Sequence, residues 1–165
     1  MNTPQRKTRH GKEVGARVPP HSVEAEQAVL AGVFLKPDIM HSIADMLQKD
    51  DFYLPAHQVL YGAFLELRRA SVPIDIVTVS EHLYAHGLLA QVGGAVFLAE
   101  LTEAVVSGAN AEHYAAIVHE RSQRRKIIDA SMAAATEAFH LASDVQAIQA
   151  KLRTATEKSC AFSCR

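Results

Sequence analysis

Residues 110–139, NAEHYAAIVHERSQRRKIIDASMAAATEAF, decide the fold that this sequence predicts. The chain has no glycine after Gly108 and no proline after Pro73, so its last third contains neither helix breaker. Apolar residues recur there at helical spacing, at Tyr114, Ile117, Val118, Ile128, Met132, Ala135 and Phe139. The stretch therefore predicts one long helix, with Asn110 as its N-cap.

A second helix is predicted five residues later, after His140 to Asp144. Asp144 is a suitable N-cap, and apolar side chains follow at Val145, Ile148, Leu152 and Ala155. Steps of three and four in both segments are typical of coiled coils, and so short a connection predicts an antiparallel hairpin. Because such a hairpin buries little by itself, we expect it to pair with a second copy or another protein. The alternative is that it folds back onto the globular part of the chain.

The preceding part of the chain is divided into shorter helices by prolines and glycines. Ser22, Pro37 and Pro55 are placed to begin the first three. Thr78-Val79-Ser80-Glu81 matches a capping box, so Thr78 is expected to begin a fourth, which Gly87 ends. Gly93-Gly94 then precedes a fifth helix. Residues 74–79 could also be read as a strand, but the cap and the lack of a partner strand favour a helix.

These patterns predict an all-α protein, in which a compact multi-helix globular domain is followed by a long antiparallel helical hairpin. The expected divisions are a disordered basic leader (1–18), a globular helical domain (19–108), the hairpin (109–158) and a flexible tail (159–165).

Charge is divided unevenly along the 165 residues, whose net charge is −1. Residues 1–17 hold five basic side chains and one acidic one, a net +4, which leaves −5 for residues 18–165. A protein that grips duplex DNA through its folded surface needs a basic face, so we expect weak or no direct binding of nucleic acid. The leader has no apolar segment, and no stretch is apolar for long enough to cross a bilayer. A cytoplasmic protein without membrane contact is therefore expected.

Motifs for catalysis are not found in the sequence. It has no Walker A pattern, no G-x-G-x-x-G and no G-x-S-x-G, so we expect no enzyme and no cofactor. The adjacent Asp50 and Asp51 do not face each other on a regular element, which favours a turn with solvated charges. Cys160 and Cys164 are expected to be reduced and incidental in the cytosol.

His82 and His86 are spaced to present two imidazoles on one helix face. The sequence places no third or fourth ligand beside them. His86 also precedes Gly87, where a cationic histidine is favoured by the helix dipole alone. We therefore expect no metal site.

A cationic belt, defined as Arg121, Arg124, Arg125 and Lys126, interrupts the apolar positions of the long helix. It is either a solvated face paired locally with Glu120 and Asp129, or a surface for an acidic partner or for the acidic core of the chain itself. The candidate residues for a partner or oligomer interface are Arg121, Arg124, Arg125, Ile128, Met132, Phe139, Val145, Ile148 and Leu152.

Several segments, in order and with their spacing, resemble the N-terminal domain of the bacterial replicative DNA helicase DnaB family over residues 19–140. They are Pro19 to Leu30, Asp51-Phe52-Tyr53, His57, Tyr61, Pro73 to Val79, Val92-Gly93-Gly94, Leu98, Leu101, Ala109-Asn110, Tyr114-Ala115, Ile117-Val118, Glu120-Arg121, Arg124-Arg125 and Ile128. Ala31 departs from the glycine that the family commonly has before Gly32.

The resemblance implies a role in DNA replication. In the family, these domains pair through helical hairpins, form a collar on the hexamer and recruit the DnaG primase. The expected function is thus an oligomerisation and interaction module without the ATPase domain that follows in the family. Its expected partners are itself, as a dimer or a trimer of dimers through the hairpin, a DnaG-like primase and an intact DnaB helicase. The alternative is a nucleic-acid-associated regulator that uses the basic leader and the cationic belt.

Overall fold

The computed structural model describes residues 18–103 and 110–160, with side chains up to residue 155. Within these ranges the chain forms eight α-helices and no β-strand, which confirms the all-α prediction. Residues 1–17 of the predicted basic leader and residues 161–165 of the predicted tail lie outside the described residues. The helices are α1 Val23–Leu35, α2 Met40–Met46, α3 Pro55–Arg69, α4 Ile76–Ala85, α5 Leu89–Val92, α6 Gly94–Glu103, α7 Ala111–Ala138 and α8 Val145–Cys160.

The first and third helices begin where the sequence predicted, whereas α2 begins three residues after Pro37. The Ser22 hydroxyl accepts a hydrogen bond from the Ala25 N–H at 3.3 Å and so caps α1. Pro37 opens a 3-10 turn that leads into α2, and Pro55 is the first residue of α3. Proline does not destabilise a helix in its first turn, because the N–H group that it lacks would have no hydrogen-bond partner within the helix.

The predicted start of α4 at Thr78 is wrong, because Asp75 caps this helix instead. The Asp75 carboxylate accepts from the Thr78 N–H at 2.8 Å, and the Thr78 hydroxyl accepts from the Asp75 N–H at 3.1 Å. The capping box is therefore real but lies three residues earlier, since an aspartate caps at least as well as a threonine. The predicted C-cap glycine is confirmed: Gly87 has a φ of +68°.

The core is built around α1 and α3 and is closed by the first half of α7. Its largest fully buried side chains include Tyr61 and Phe64 of α3 and Phe52 just before that helix. Ala111, Ala115 and Val118 of α7 are buried in the same cluster. The long helix is thus shared: one face of its first half completes the globular core, and the large apolar side chains of its second half remain exposed.

Helix α8 packs against α7, and residues 139–144 connect the two helices. Lys151 and Glu137 form an ion pair between them at 2.5 Å. Ala134 and Glu137 are half-buried on the second half of α7, whereas Met132 and Phe139 are 66% and 87% exposed. Most of the large apolar side chains in this part of the chain therefore remain exposed despite the contact with α8. That this pair acts as a unit for binding partners stays a prediction.

Gly32 provides a test of the contact between α1 and α7. A Cβ at this position would lie 2.7 Å from the Cβ of Ala111, whereas one at Gly62 of α3 would meet only the Lys49 Cδ at 4.0 Å. We expect Gly32→Ala to lower the free energy of unfolding by about 1–3 kcal/mol, because the two helices must move apart. Gly62→Ala should leave stability unchanged or raise it by about 0.5–1 kcal/mol, since alanine is the better helix former. Urea denaturation followed by circular dichroism measures both, and equal effects would contradict the close contact.

Candidate interaction surface

Glu26 is a buried carboxylate that joins α1 to the beginning of α3. It is 1% exposed, and its oxygens accept from the Tyr53 N–H at 2.7 Å and the Leu54 N–H at 3.4 Å. The Nδ1 atom of His57, which is equally buried, lies 2.8 Å from its Oε2 atom. The Glu26 carboxylate is therefore the hydrogen-bond partner both of the backbone N–H groups just before α3 and of a buried imidazole.

Asp51 is a second buried carboxylate, and it fixes the middle of α7 to the core. The predicted turn of solvated charges at Asp50–Asp51 is wrong for this residue, which is 2% exposed. Its Oδ1 atom accepts from the Ser122 hydroxyl and from the Lys126 ammonium, both at 2.6 Å. Its Oδ2 atom accepts from the Gln48 N–H at 2.8 Å. Helical spacing places Ser122 and Lys126 one turn apart, so both reach the same carboxylate.

The surroundings of Asp51 favour its ionised form. Burial alone would raise the pKa of this carboxyl, but the hydrogen bonds from the Gln48 N–H, Lys126 and Ser122 outweigh burial and lower the pKa below its ordinary value. Nearby, burial and the charge of Asp51 raise the pKa of Tyr61, whose hydroxyl donates towards the Leu47 carbonyl at 3.3 Å. Asp51 is thus a permanent negative charge at neutral pH.

The cationic belt divides into two halves with different contacts. Arg125 donates to the carbonyls of Pro20 at 2.9 Å and Asp51 at 2.6 Å, and Lys126 pairs with the Asp51 carboxylate. Arg121 and Arg124 instead pair with Glu120, at 3.1 Å and 2.6 Å. Arg125 and Lys126 therefore bind groups of the chain's own core, whereas Arg121 and Arg124 form ion pairs with a neighbouring residue of the same helix.

Large apolar side chains are exposed on the second half of α7, on its connection to α8 and on α8 itself. We name this set the apolar face, and it consists of Ile127, Ile128, Met132, Phe139, Leu141, Val145 and Leu152, each 37% exposed or more. Of the candidate interface residues, Arg124 is also exposed, whereas Ile148, Arg121 and Arg125 are half-buried. Clusters of exposed apolar side chains are typical of protein contact sites. That these residues bind a partner stays a prediction.

Imidazole and carboxylate side chains come together between α3 and α4. His82 and His86 are neighbours on α4, with ring centroids 4.3 Å apart, and the fold brings Glu66 of α3 to them.

Among the residues that the structure describes, no helix is both long and apolar enough to cross a membrane.

The residues that sequence reasoning missed are the buried polar ones, Glu26, Asp51, His57 and Ser122. The helical periodicity of the sequence could have indicated burial for two of them. Glu26 shares a helix face with Val29, Leu30 and Val33, and Ser122 continues the buried face of Ala115 and Val118. A charged residue on an apolar stripe indicates a buried partner, but the stripe does not say which residue that partner is.

Comparison with known proteins identifies relatives of this arrangement. Residues 18–120 match the family model described as the DnaB-like helicase N-terminal domain. The replicative DNA helicase DnaB of Geobacillus stearothermophilus is 42% identical over 123 residues, which are 74% of this chain and 27% of that protein. DnaB of Pasteurella multocida is 46% identical over 114 residues, 69% of this chain and 24% of that protein. The chain thus spans about a quarter of the length of these relatives.

Solved structures agree on the fold. The N-terminal domain of DnaB helicase from Mycobacterium tuberculosis superposes with a TM-score of 0.79 and 34% identity, over 86% of this chain and 99% of that one. A DnaB-like replicative helicase, studied for its interactions with primase, superposes with a TM-score of 0.69 and 24% identity, over 79% of this chain and 31% of that one. With the family model matched over the core and most of the first half of α7, this chain belongs to the DnaB-like helicase N-terminal domain family.

Proposed function

We propose that this chain is an oligomerisation and interaction module of the DNA replication machinery. It pairs with a second copy through the apolar face and binds a DnaG-like primase, in the cytoplasm and without hydrolysing ATP itself. An intact DnaB helicase is a further partner through the same pairing. Membership of the DnaB-like family supports a role in DNA replication. The exposed apolar face is the single observation that supports pairing with another protein.

The exposure of the apolar face supports pairing rather than packing within one chain. Phe139 and Leu141 are 87% and 101% exposed, and Met132 and Val145 are 66% and 64% exposed. Burying such side chains against a partner contributes about 25 cal/mol for each Å² of apolar surface removed from water. A second copy offers the same face, which suits the self-complementary contact of a twofold dimer.

The anchoring of α7 supports a fixed geometry for that pairing. The first half of the helix is buried in the core, and the Asp51 contacts hold Ser122 and Lys126 just before the apolar face begins. The apolar face is therefore presented at a set angle, which reduces the cost of ordering it on binding.

The proposal of a primase partner rests on family membership and on the related helicase studied for its interactions with primase. The alternative of a nucleic-acid-associated regulator receives less support from the geometry. Arg125 and Lys126 contact the chain's own core, and Arg121 and Arg124 pair with Glu120. Few cationic groups of the belt are thus left for phosphates.

Replacing an apolar-face residue tests the pairing. Met132→Asp is expected to weaken self-association at least about tenfold, because each copy would place a carboxylate in an apolar contact. The matched control is Val96→Asp, since Val96 of α6 is 69% exposed but lies outside the apolar face. Light scattering coupled to size exclusion, over a range of concentrations, gives the dissociation constant of each variant.

Equal association constants for the two variants would overturn pairing through this face, and so would a parent chain that is monomeric at every concentration. Binding to purified primase, measured by calorimetry with the same variants, tests the second partner separately. If the chain forms dimers but does not bind primase, self-association through the apolar face is supported and the primase is not a partner. Affinity for DNA that falls steeply with salt would instead support the regulator.

A further inference from the structure

Glu66, His82 and His86 form a cluster that is separate from the apolar face and from the buried carboxylates. His82 and His86 lie one turn apart on α4, and Glu66 lies on the neighbouring helix α3. One ligand atom from each residue can be chosen so that all three lie within 4.8 Å of one another. The sequence shows the two histidines, but only the packing of α3 against α4 brings the carboxylate to them.

We propose that these three side chains form a binding site for a divalent transition-metal ion, for which Zn²⁺ is the reference ligand. Two imidazoles and one carboxylate are a donor set that zinc accepts when one coordination position is left to water or another small ligand. Imidazole also suits Cu²⁺ and Ni²⁺, whereas Mg²⁺ and Ca²⁺ prefer oxygen ligands throughout.

The distance between His82 and Glu66 is close to the spacing of two ligand atoms on one ion. The Nε2 atom of His82 lies 3.0 Å from the Oε2 atom of Glu66. Ligand atoms in a tetrahedral zinc site are about 3.4 Å apart, because each lies about 2.0–2.1 Å from the metal. The ring of His86 is tilted by 37° to that of His82, and its Nδ1 atom lies 2.8 Å from the His82 carbonyl oxygen. That contact fixes the ring and leaves its Nε2 atom for a metal.

The exposure of the cluster allows both entry and adjustment. The side chain of Glu66 is 58% exposed, that of His82 is 18% exposed, and His86 is also exposed. Glu66 and His82 line a cavity of about 210 Å³ together with Lys49, Gln58 and Leu88. A metal bound here would join α3 to α4 and would turn its fourth position towards solvent or this cavity.

Zinc binding is best measured by calorimetry on the full chain carrying Cys160→Ser and Cys164→Ser, after removal of metal with a chelator. These replacements exclude thiolate ligands from the signal. We expect one Zn²⁺ per chain and a melting temperature that rises with zinc, because the ion binds only the folded arrangement. His86→Ala and Glu66→Gln should each weaken binding at least about tenfold.

The matched control is His113→Ala, which removes an exposed histidine of α7 outside the cluster and should leave zinc affinity unchanged. Glu66→Gln keeps the shape of the carboxylate, so it remains informative if His86→Ala does not fold by circular dichroism. The site is overturned if the parent chain binds no zinc, or if Glu66→Gln and His113→Ala bind zinc with equal affinity.

Discussion

Replacing Glu26 by alanine is expected to lower the free energy of unfolding by about 3–5 kcal/mol, the largest effect we expect of any single change in this chain. The substitution removes the acceptor of the Tyr53 and Leu54 N–H groups and leaves His57 without its carboxylate partner. The imidazole in particular cannot turn to water, since His57 is 1% exposed. Buried donors without acceptors carry the full cost of their lost hydration.

The matched control for Glu26→Ala is Glu24→Ala. Glu24 lies on the same helix two residues earlier and is exposed, so Glu24→Ala should cost less than about 1 kcal/mol. Glu26→Gln, which keeps an acceptor oxygen, should fall between the two alanine variants. Chemical denaturation followed by circular dichroism provides all three values. A loss at Glu26 no larger than that at Glu24 would contradict the anchoring role of the buried carboxylate.

The second large effect is expected at Asp51. Asp51→Ala should lower the free energy of unfolding by about 2–4 kcal/mol, because the Gln48 N–H and the buried Ser122 hydroxyl lose their acceptor. Lys126 contributes less to this loss, since its ammonium group can turn to solvent. The matched control is Asp50→Ala, at the exposed neighbouring position in the same 3-10 turn.

The contribution of Asp51 also has a defined pH dependence. Because the pKa of this carboxyl is lower in the folded chain than its ordinary value of 3.8, its ionised form stabilises the fold at neutral pH. That stability is complete above the ordinary value and is lost as the pH falls through the lowered pKa. The difference between the parent chain and Asp51→Asn should therefore be largest at neutral pH and shrink below about pH 4. A difference that grows in acid would show that the carboxylate is not held in its charged form.

The Asp51 variants connect stability to the proposed function. Asp51 holds α7 at Ser122 and Lys126, and the apolar face begins one residue later at Ile127. Loosening this anchor should therefore weaken self-association even where the chain stays folded. Asp50→Ala leaves the anchor in place and should not weaken it.

Local sequence patterns predicted the all-α class and most of the helices, although they did not predict the short helix α5. Prolines at 37 and 55, the serine cap at residue 22 and the glycine at 87 mark helix ends through local backbone chemistry, which needs no distant partner. The long helix followed from the absence of breakers after Gly108. Where two caps competed within a few residues, as Asp75 and Thr78 did, the local pattern placed the start incorrectly.

Local patterns could not predict which charges are buried and which apolar side chains remain exposed, because both depend on how the helices pack. Asp51 meets Ser122 and Lys126 across about seventy residues, and Glu66 meets His82 between two helices. Residues 128 to 139 show the same limit, because periodicity gives a stripe but not the element that covers it. Burial depends on what lies opposite a side chain in space, and that information belongs to the packing of whole helices rather than to any segment of the chain.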